Sequence, residues 1–186
     1  MSPRQRRLNA DFEKLKAEFS NHPNIKLEYN SDGDSVPERY FVTFRDIRGI
    51  KLSPESTKEN KIHDYVDEHK IEIYLHLDYP RLKPQCYILT EVFHPNFRIA
   101  SPHDICIGDY WASGETLVDV IYQIGDMLQY KNFIVTRPLN GIAAKWAREN
   151  TELFPTDDKE LRLGEVDIDL DDELDEDIEI QFQNPN

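Results

Sequence analysis

Residues 93–111 read FHPNFRIASPHDICIGDYW, a stretch that lacks the periodic apolar patterns found before and after it. It contains two histidines, two prolines, a cysteine and a tryptophan. Loops of this length inside a compact domain are usually functional or disordered. Because aromatic and aliphatic side chains are frequent in this one, we predict an ordered loop, from Phe93 to Ser113, that carries the functional site.

The sequence ahead of the loop is typical of β-strands. Four strands are predicted, at Ile25–Tyr29, Arg39–Phe44, Lys70–Leu77 and Gln85–Thr90. The first two flank NSDGD at 30–34, a strong hairpin signal. In the third, alternation places four aliphatic residues on one buried face, namely Ile71, Ile73, Leu75 and Leu77. Residues 51–69 are polar and aperiodic, which predicts a long surface loop within an antiparallel meander.

Helical patterns lie on either side of the predicted sheet and loop. Ser2 and Pro3 are a typical N-cap and first helical residue, and apolar residues then recur at helical spacing, at Leu8, Phe12, Leu15 and Phe19. Helical spacing returns over Leu117–Leu128, and a last helix is predicted after Asn140, a suitable N-cap. A helix, four strands, a long loop and two helices make an α+β fold.

The charge of the chain is unevenly distributed. Its 186 residues include 22 basic and 36 acidic ones, giving a formal net charge of −14, and ten of the acids lie in residues 165–186. The length suits one domain with its own core, which we place at 1–155, followed by an acidic, disordered tail at 156–186. An acidic body argues against nucleic acid or an anionic membrane as the main partner.

The sequence predicts neither a signal peptide nor a membrane span. The start, MSPRQRRLNADFEKL, has charges with no apolar run behind them, and no stretch approaches the roughly 20 apolar residues that a span requires. The two cysteines, Cys86 and Cys106, allow at most one disulfide. We expect a protein of the reducing cytoplasm, in which a cysteine either packs or supplies a thiolate.

The two cysteines occupy different sequence environments. Cys86 falls inside a predicted strand and is expected to pack as a small apolar residue. Cys106 is followed closely by Gly108 and Asp109, and the surrounding loop argues against a regular buried strand there. A cysteine near a histidine is also the pattern of a thiol hydrolase, although the sequence has none of the papain-like or caspase-like local signatures.

The motifs on both sides of Cys106 resemble those of the ubiquitin-conjugating enzyme family. The resemblance rests on the first helix, Tyr79-Pro80, Lys83-Pro84, His94-Pro95-Asn96, Ile105-Cys106, Trp111, Glu115-Thr116-Leu117, Pro138-Leu139-Asn140 and Ala143-Ala144. Each motif alone is weak evidence, but all of them occur in the family's order, over roughly residues 4–154. The fold that this implies is the α+β fold of that family, with the long loop as the active-site loop.

The resemblance implies an enzyme that carries a ubiquitin-like modifier. Cys106 receives the modifier's C-terminal glycine from an activating enzyme as a thioester, and a lysine amine of a protein target then attacks it. Asn96 is implied as the amide that stabilises the oxyanion, although an Asn after His-Pro can equally brace the loop. His94 is expected to orient the loop rather than to act in catalysis, and His103 to be solvated. We predict neither a cofactor nor a metal.

The sequence departs from the family pattern near the cysteine. Asn96 and Cys106 are 10 positions apart, more than in eukaryotic members, and the link from the cysteine to the following tryptophan is short. Arg137 stands where many members have an acid that orients or deprotonates the incoming lysine, and Asp109 and Asp126 are candidates for that role. These features resemble the stand-alone conjugating enzymes of bacterial ubiquitin-like operons, which are often linked to phage defence.

Two segments are candidate partner surfaces. The first helix has a basic face that is either simply solvated or docks onto the activating enzyme through Arg4, Arg6 and Arg7. The tail either solvates the chain or binds the modifier by strand addition, through the alternating residues Val166, Ile168 and Leu170. The alternative function is a non-catalytic variant of the fold that binds ubiquitin-like proteins, and because such variants typically lack the cysteine, Cys106 favours the enzyme.

Overall fold

The computed structural model describes residues 1–30, 35–57, 63–112, 114–156 and 159–163. In chain order, its elements are α1 (Pro3–Phe19), β1 (Ile25–Tyr29), β2 (Arg39–Leu52), β3 (His63–Tyr74), β4 (Gln85–Ile88), α2 (Leu117–Leu128) and α3 (Gly141–Glu149), followed by a short 3-10 helix at Thr151–Leu153. The predicted α+β order of elements is confirmed. Residues 31–34 of the predicted hairpin turn lie outside the described residues.

The helices begin at the caps that the sequence encodes. The Ser2 hydroxyl accepts a hydrogen bond from the Gln5 N–H at 3.1 Å, and the Thr116 hydroxyl accepts one from the Asp119 N–H at 3.2 Å. The Asn140 side chain caps α3 in the same way. These bonds satisfy N–H groups that a helix leaves unpaired at its start, and so fix where each helix begins.

The four strands form one antiparallel sheet in the order β1-β2-β3-β4, so the predicted meander is confirmed. Its registers pair Ile25 with Phe44 and Ile73 with Cys86. α1 contacts β1, and α2 contacts both α1 and β2, so the two helices cover the sheet. The main core lies between these elements and includes Leu15, Phe44, Ile71, Ile73 and Ile121.

The predicted surface loop over 51–69 is wrong. β2 continues to Leu52 and β3 begins at His63, so much of this stretch belongs to a long two-stranded ladder. Residues 63–68 of β3 are half-buried or exposed, and the fully buried aliphatic side chains at this end come from the partner strand, at Ile47 and Ile50. A polar, aperiodic stretch can form a strand when the neighbouring strand supplies the apolar side chains that pack on the core. The pattern of the polar stretch alone does not reveal this.

The predicted strand ends also differ from the structure. Leu77 was expected on the buried face but is 83% exposed, because β3 ends at Tyr74 and the chain then enters a turn. Leu75 is still fully buried, so the alternation of buried and exposed side chains continues for one residue beyond the end of β3. β4 ends at Ile88 rather than at Thr90.

The last described segment, residues 159–163, packs back onto the domain. Leu161 lies beyond the predicted domain boundary at 155, yet it is only 2% exposed and belongs to the main core. Its carbonyl lies 2.8 Å from Nε2 of His22, in the connection between α1 and β1. A Cβ atom at Gly125 of α2 would overlap the Leu161 side chain, so a larger residue there would force Leu161 to shift. Within the described ranges, no helix is both long and apolar enough to cross a membrane.

Arg7 attaches α1 to the turn after β3. Its Nε donates to the Asp11 carboxylate at 2.7 Å, and the Tyr79 hydroxyl donates to the same oxygen at 2.5 Å. Asp11 is only 2% exposed, so both donors compensate a carboxylate that has lost its water. The Arg7 guanidinium also donates to the carbonyl of Glu115, ahead of α2.

Arg4 is also directed at the domain rather than at solvent. It forms an ion pair with Glu38 at 2.6 Å and donates to the Leu75 carbonyl at 3.1 Å. Of the three arginines predicted to form a basic docking face, only Arg6 is exposed, while Arg4 and Arg7 are partly buried. Helical spacing places all three in the polar sector of α1, but it does not reveal which of them meet a strand end or a turn.

Removing the Arg7 side chain should destabilise the fold. We expect Arg7→Ala to lower the free energy of unfolding by about 3 kcal/mol, because it leaves the buried Asp11 carboxylate without its cation. The matched variant Arg6→Ala should change it by less than about 0.5 kcal/mol, since Arg6 is exposed on the same helix. Urea unfolding followed by circular dichroism measures both, and equal effects would show that the Asp11 network gives no specific stability.

Candidate active site

The loop after β4 folds back along the edge of the sheet. The Ile105 N–H donates to the Cys86 carbonyl at 2.8 Å, and an isolated antiparallel bridge joins Phe97 to Ile105. The Cys106 N–H then donates to the Asn96 carbonyl at 2.9 Å. Cys106 and Asn96 therefore lie on adjacent, hydrogen-bonded backbone segments, although they are 10 positions apart in the sequence.

His94 is fully buried beneath this loop. Its Nδ1 accepts a hydrogen bond from the Asn96 N–H at 3.1 Å, and its ring packs edge-on against Phe97 and Tyr130, with centroids 4.9 and 4.6 Å away. Burial lowers the pKa of His94 to about 3, while the backbone of Asn132 favours the charged form by a smaller amount. The imidazole is therefore neutral at physiological pH, which suits a residue that orients the loop.

The Asn96 side chain is fully buried and connects the loop to the segment after α2. Its Oδ1 accepts a hydrogen bond from the Ile134 N–H at 2.8 Å. Its Nδ2 is buried and has no hydrogen-bond partner among the described residues. The bracing role considered for Asn96 is thus visible in the Oδ1 contact, and the amide group keeps a donor that this bracing does not use.

The start of α3 is fixed to the same turn. The Asn140 N–H donates to the Pro95 carbonyl at 3.0 Å, while the Asn140 side chain accepts from the Ala143 N–H at 3.0 Å. One residue therefore caps α3 and attaches it to the His-Pro-Asn turn. The side-chain cap explains in physical terms why an asparagine follows Pro-Leu in this sequence, whereas the bond to Pro95 needs only a backbone N–H.

Cys106 is half-buried in the wall of a cleft of about 700 Å³, whose lining also includes Lys83, Asp109, Trp111 and Leu139. The backbone beyond the cysteine is held from two sides. The Lys83 ammonium donates to the Gly108 carbonyl, and the Gln123 amide donates to the Ile107 carbonyl at 3.1 Å. Gly108 has a φ of +102°, which glycine adopts without strain.

Cys86 lies in β4, next to the segment that carries Cys106, but it is only 3% exposed. Burial raises the pKa of the Cys86 thiol to about 12, with a smaller opposing effect from Lys83. The prediction that Cys86 is a packing residue is confirmed. Because the thiolate is the nucleophile, this cysteine is chemically inert in the folded chain.

Two carboxylates were candidates for the acid that Arg137 replaces. Asp109 lines the cleft with Cys106, and its carboxylate lies 3.4 Å from the Arg137 guanidinium. Asp126 lies on α2 and does not line the cleft; burial raises the pKa of its carboxyl, against a smaller effect of Lys131. Of these two candidates, Asp109 alone shares the cleft with the cysteine.

Some contacts of the site have no signal in the sequence. Ile134 contributes a backbone N–H, which every residue except proline has, and Tyr130 donates its hydroxyl to the Phe93 carbonyl at 2.6 Å from a position just after α2. His103 is exposed in the turn before the cysteine. The predicted modifier-binding residues Val166, Ile168 and Leu170 lie outside the described residues.

These observations define a class of protein: an α+β domain whose long loop holds a half-buried cysteine against a His-Pro-Asn turn. The model of the ubiquitin-conjugating enzyme family matches residues 65–161, slightly more than half of the chain. The chain belongs to the ubiquitin-conjugating enzyme family, and the resemblance noted in the sequence is confirmed. A comparison with curated proteins gave no match.

The neutral, buried His94 predicts a specific pH dependence of stability. The folded chain binds a proton there only near pH 3, whereas the unfolded chain binds it below about 6.5, so this contribution is complete above pH 6.5 and is lost as the pH falls. His94→Gln keeps an acceptor for the Asn96 N–H, and it should reduce the slope of stability against pH between 6 and 4.5 by up to about 1.4 kcal/mol per unit. Urea unfolding at several pH values measures the slope.

The control for that measurement is His103→Gln, because the exposed ring of His103 is solvated in the folded chain. We expect this variant to keep the wild-type slope. If His94→Gln also keeps it, the imidazole is protonated in the folded state, and its assignment as a neutral orienting group is wrong.

Proposed function

We propose that this chain carries a ubiquitin-like modifier as a thioester on Cys106 and transfers it to a lysine of a protein target. The observation that carries the proposal is the setting of Cys106, a half-buried thiol in a cleft wall whose backbone is bonded to Asn96. Membership of the ubiquitin-conjugating enzyme family supports it, because enzymes of this family transfer ubiquitin through such a thioester.

The reaction consists of two acyl transfers. The Cys106 thiolate attacks the carbonyl of the modifier's C-terminal glycine, held as a thioester on the activating enzyme, and the thiolate of that enzyme leaves. A lysine amine of the target then attacks the new thioester, loses a proton and displaces the Cys106 thiolate as the amide bond forms. Each transfer passes through a tetrahedral oxyanion, so a hydrogen-bond donor near Cys106 lowers both barriers.

We assign this donor to Nδ2 of Asn96. The hydrogen bond from the Ile134 N–H to Oδ1 fixes the orientation of the amide, so its buried NH₂ group is the part that keeps an unused donor. Nδ2 has no other partner in the described part of the chain, and the Asn96 backbone is bonded to Cys106. A donor that is already oriented costs no reorganisation when the oxyanion forms.

Asp109 is the best candidate to receive the incoming lysine. It lines the cleft with Cys106, and it is 82% exposed, so a target can reach it. Its partner Arg137 is 85% exposed, and ion pairs between such exposed groups contribute little free energy. An approaching lysine ammonium can therefore replace Arg137 at small cost, which makes Asp109 a positioning residue for the acceptor.

The partners we propose are an activating enzyme, the modifier and a lysine-bearing target. On α1, Arg6 remains available for the activating enzyme, whereas Arg4 and Arg7 hold the helix to the domain. The spacing of the loop around Cys106 supports a place among bacterial ubiquitin-like operons and in phage defence. Binding of the modifier by the tail through Val166, Ile168 and Leu170 stays a prediction.

The thiol-hydrolase alternative requires a histidine that can deprotonate the cysteine. His94 is fully buried, with a pKa of about 3, so it is a poor base for Cys106. The hydrogen bonds of His103 are made by its backbone, with Ala100 and Ile88. His76 lines the same cleft as Cys106, but its Nε2 lies 2.9 Å from the Lys83 carbonyl and its Nδ1 accepts from the Asp78 N–H at 3.2 Å. Both of its ring nitrogens are therefore engaged by the backbone, which favours the thioester carrier over the thiol hydrolase.

The first test of the proposal is charging. With the cognate activating enzyme, its modifier and ATP, the wild-type chain should form an adduct that reductant removes. Cys106→Ala should form none, and Cys106→Ser should form either a reductant-resistant oxyester or none. The matched control Cys86→Ala should charge as the wild type does, because Cys86 is buried. A labile adduct on Cys106→Ala, or one mapped to Cys86, would exclude the assignment.

The second test separates the two roles of Asn96. Asn96→Asp keeps an acceptor for the Ile134 N–H but loses the NH₂ donor, whereas Asn96→Ala loses both. If Nδ2 stabilises the oxyanion, both variants should slow lysine discharge from pre-charged enzyme by about 10²–10³-fold. Both should also unfold at a lower temperature, because Asn96→Ala leaves the Ile134 N–H unpaired and Asn96→Asp places a carboxylate at a fully buried position. Single-turnover discharge and thermal unfolding measure the two effects. If Asn96→Asp discharges to lysine at the wild-type rate, Nδ2 does not stabilise the oxyanion and Asn96 has only the bracing role.

A further inference from the structure

A second groove, of about 770 Å³, lies between α1 and β1 and shares no lining residue with the Cys106 cleft. Three basic residues contribute to its lining, Lys16, Lys26 and Arg45, against one acid, Glu13. Each basic side chain is about half exposed and pairs with a neighbouring carboxylate at 3.3–3.6 Å. Such exposed pairs are weak, so the three cations can exchange partners for an acidic ligand.

The floor of this groove is a free sheet edge. The Ile25 N–H donates to Nδ1 of His22 at 3.0 Å, on the side away from β2. Backbone groups of an antiparallel strand alternate in direction, so those of Leu27 and Tyr29 also face away from β2. In the described part of the chain, β1 pairs with β2 alone. An open edge of this kind is a template for a further strand.

The described chain passes next to the groove at Leu161 and then turns toward α2. His22 lines the groove, and Nε2 of the same ring lies 2.8 Å from the Leu161 carbonyl. Arg162 is then held by Asp119 at 3.1 Å. Val166 follows Leu161 by five residues, which span at most about 17 Å, so residues 166–170 are within reach of β1.

The composition of residues 165–170, EVDIDL, matches the groove on both faces. Lys26 lies on the exposed face of β1, and Leu27 on the face that packs against the core. A strand paired with β1 places its acids on the side of Lys26 and Arg45, and its aliphatic residues beside Leu27 and Tyr29. The ten acids of residues 165–186 also provide a long-range attraction to the basic lining.

We propose that residues 166–170 dock in cis on the free edge of β1, as a further strand in the groove between α1 and β1. Main-chain hydrogen bonds to Leu27 and Tyr29 hold the segment, and tethering makes weak binding sufficient. The docking itself does not depend on the proposed function. The consequence of the docking does rest on the proposed function. The tail residues that would dock on β1 are the same ones that are predicted to bind the modifier, so β1 and the modifier would compete for this segment.

Hydrogen exchange of single amides tests the docking without any partner protein. We compare the full chain with one truncated after Gly164, and expect the amides of Leu27 and Tyr29 to exchange at least about tenfold more slowly in the full chain. The amides of Lys26 and Glu28 face β2 and are the internal control, with equal exchange in both chains. Equal rates at Leu27 and Tyr29 would overturn the proposal.

Two sets of variants separate strand addition from charge alone. Changing Val166, Ile168 and Leu170 to Ala, with every acid kept, should abolish the protection, as should Lys26→Glu with Arg45→Glu. The matched pair Arg48→Glu with Lys145→Glu reverses exposed charges outside the groove lining and should preserve it. Protection that survives the triple-alanine change, or that rises with protein concentration because a second copy supplies the tail, would show that the cis strand is wrong.

Discussion

Three hydrogen bonds of Asn96, one within its own turn and two to other segments, hold the candidate active site together. Its carbonyl accepts from Cys106, its side chain accepts from Ile134, and its N–H donates to His94. All three bonds surround a residue with no exposed surface, and each one lost would leave a buried polar group unpaired at a cost of about 1–3 kcal/mol. The loop can therefore keep one conformation without regular secondary structure. Any other conformation would break these hydrogen bonds and leave buried polar groups with neither water nor a protein partner.

A second set of contacts connects α1 to the wall of the cleft. Arg7 bonds to Tyr79 and to Glu115, and the carbonyl of the neighbouring Pro80 accepts from the indole of Trp111 at 2.9 Å. Trp111 in turn lines the cleft with Cys106. The helix predicted to dock an activating enzyme is thus in continuous physical contact with the loop that carries the cysteine. A substitution on the inner side of α1 acts on the cleft as well as on stability, so Arg6 and Arg7 are not equivalent probes of docking.

The sequence predicted those parts of the fold that each segment encodes by itself. The caps at Ser2 and Asn140 and the spacing of the helices are local, and so is the hairpin order of the strands. The start of β3 was missed because the fully buried aliphatic side chains at this end of the ladder, Ile47 and Ile50, belong to β2. For the site, the motifs supplied Cys106 and its His-Pro-Asn turn. They could not supply the Ile134 N–H, because a backbone donor looks the same at every residue.

The contrast between the two cysteines shows what the fold contributes to reactivity. The Cys86 carbonyl accepts from the Ile105 N–H, one residue before Cys106, so the two thiols lie on bonded neighbouring segments of one small region. Both cysteines belong to the lining of the cleft, but burial raises the pKa of Cys86 to about 12 and leaves it almost without contact with solvent, whereas Cys106 is only half-buried. Acyl transfer from a thioester needs an accessible thiolate and a fixed donor more than a nearby base, since the thiolate itself is a good leaving group. A neutral, buried His94 is therefore compatible with this chemistry. The choice of modifier and of target lysine then depends on the surfaces that bring them to Cys106.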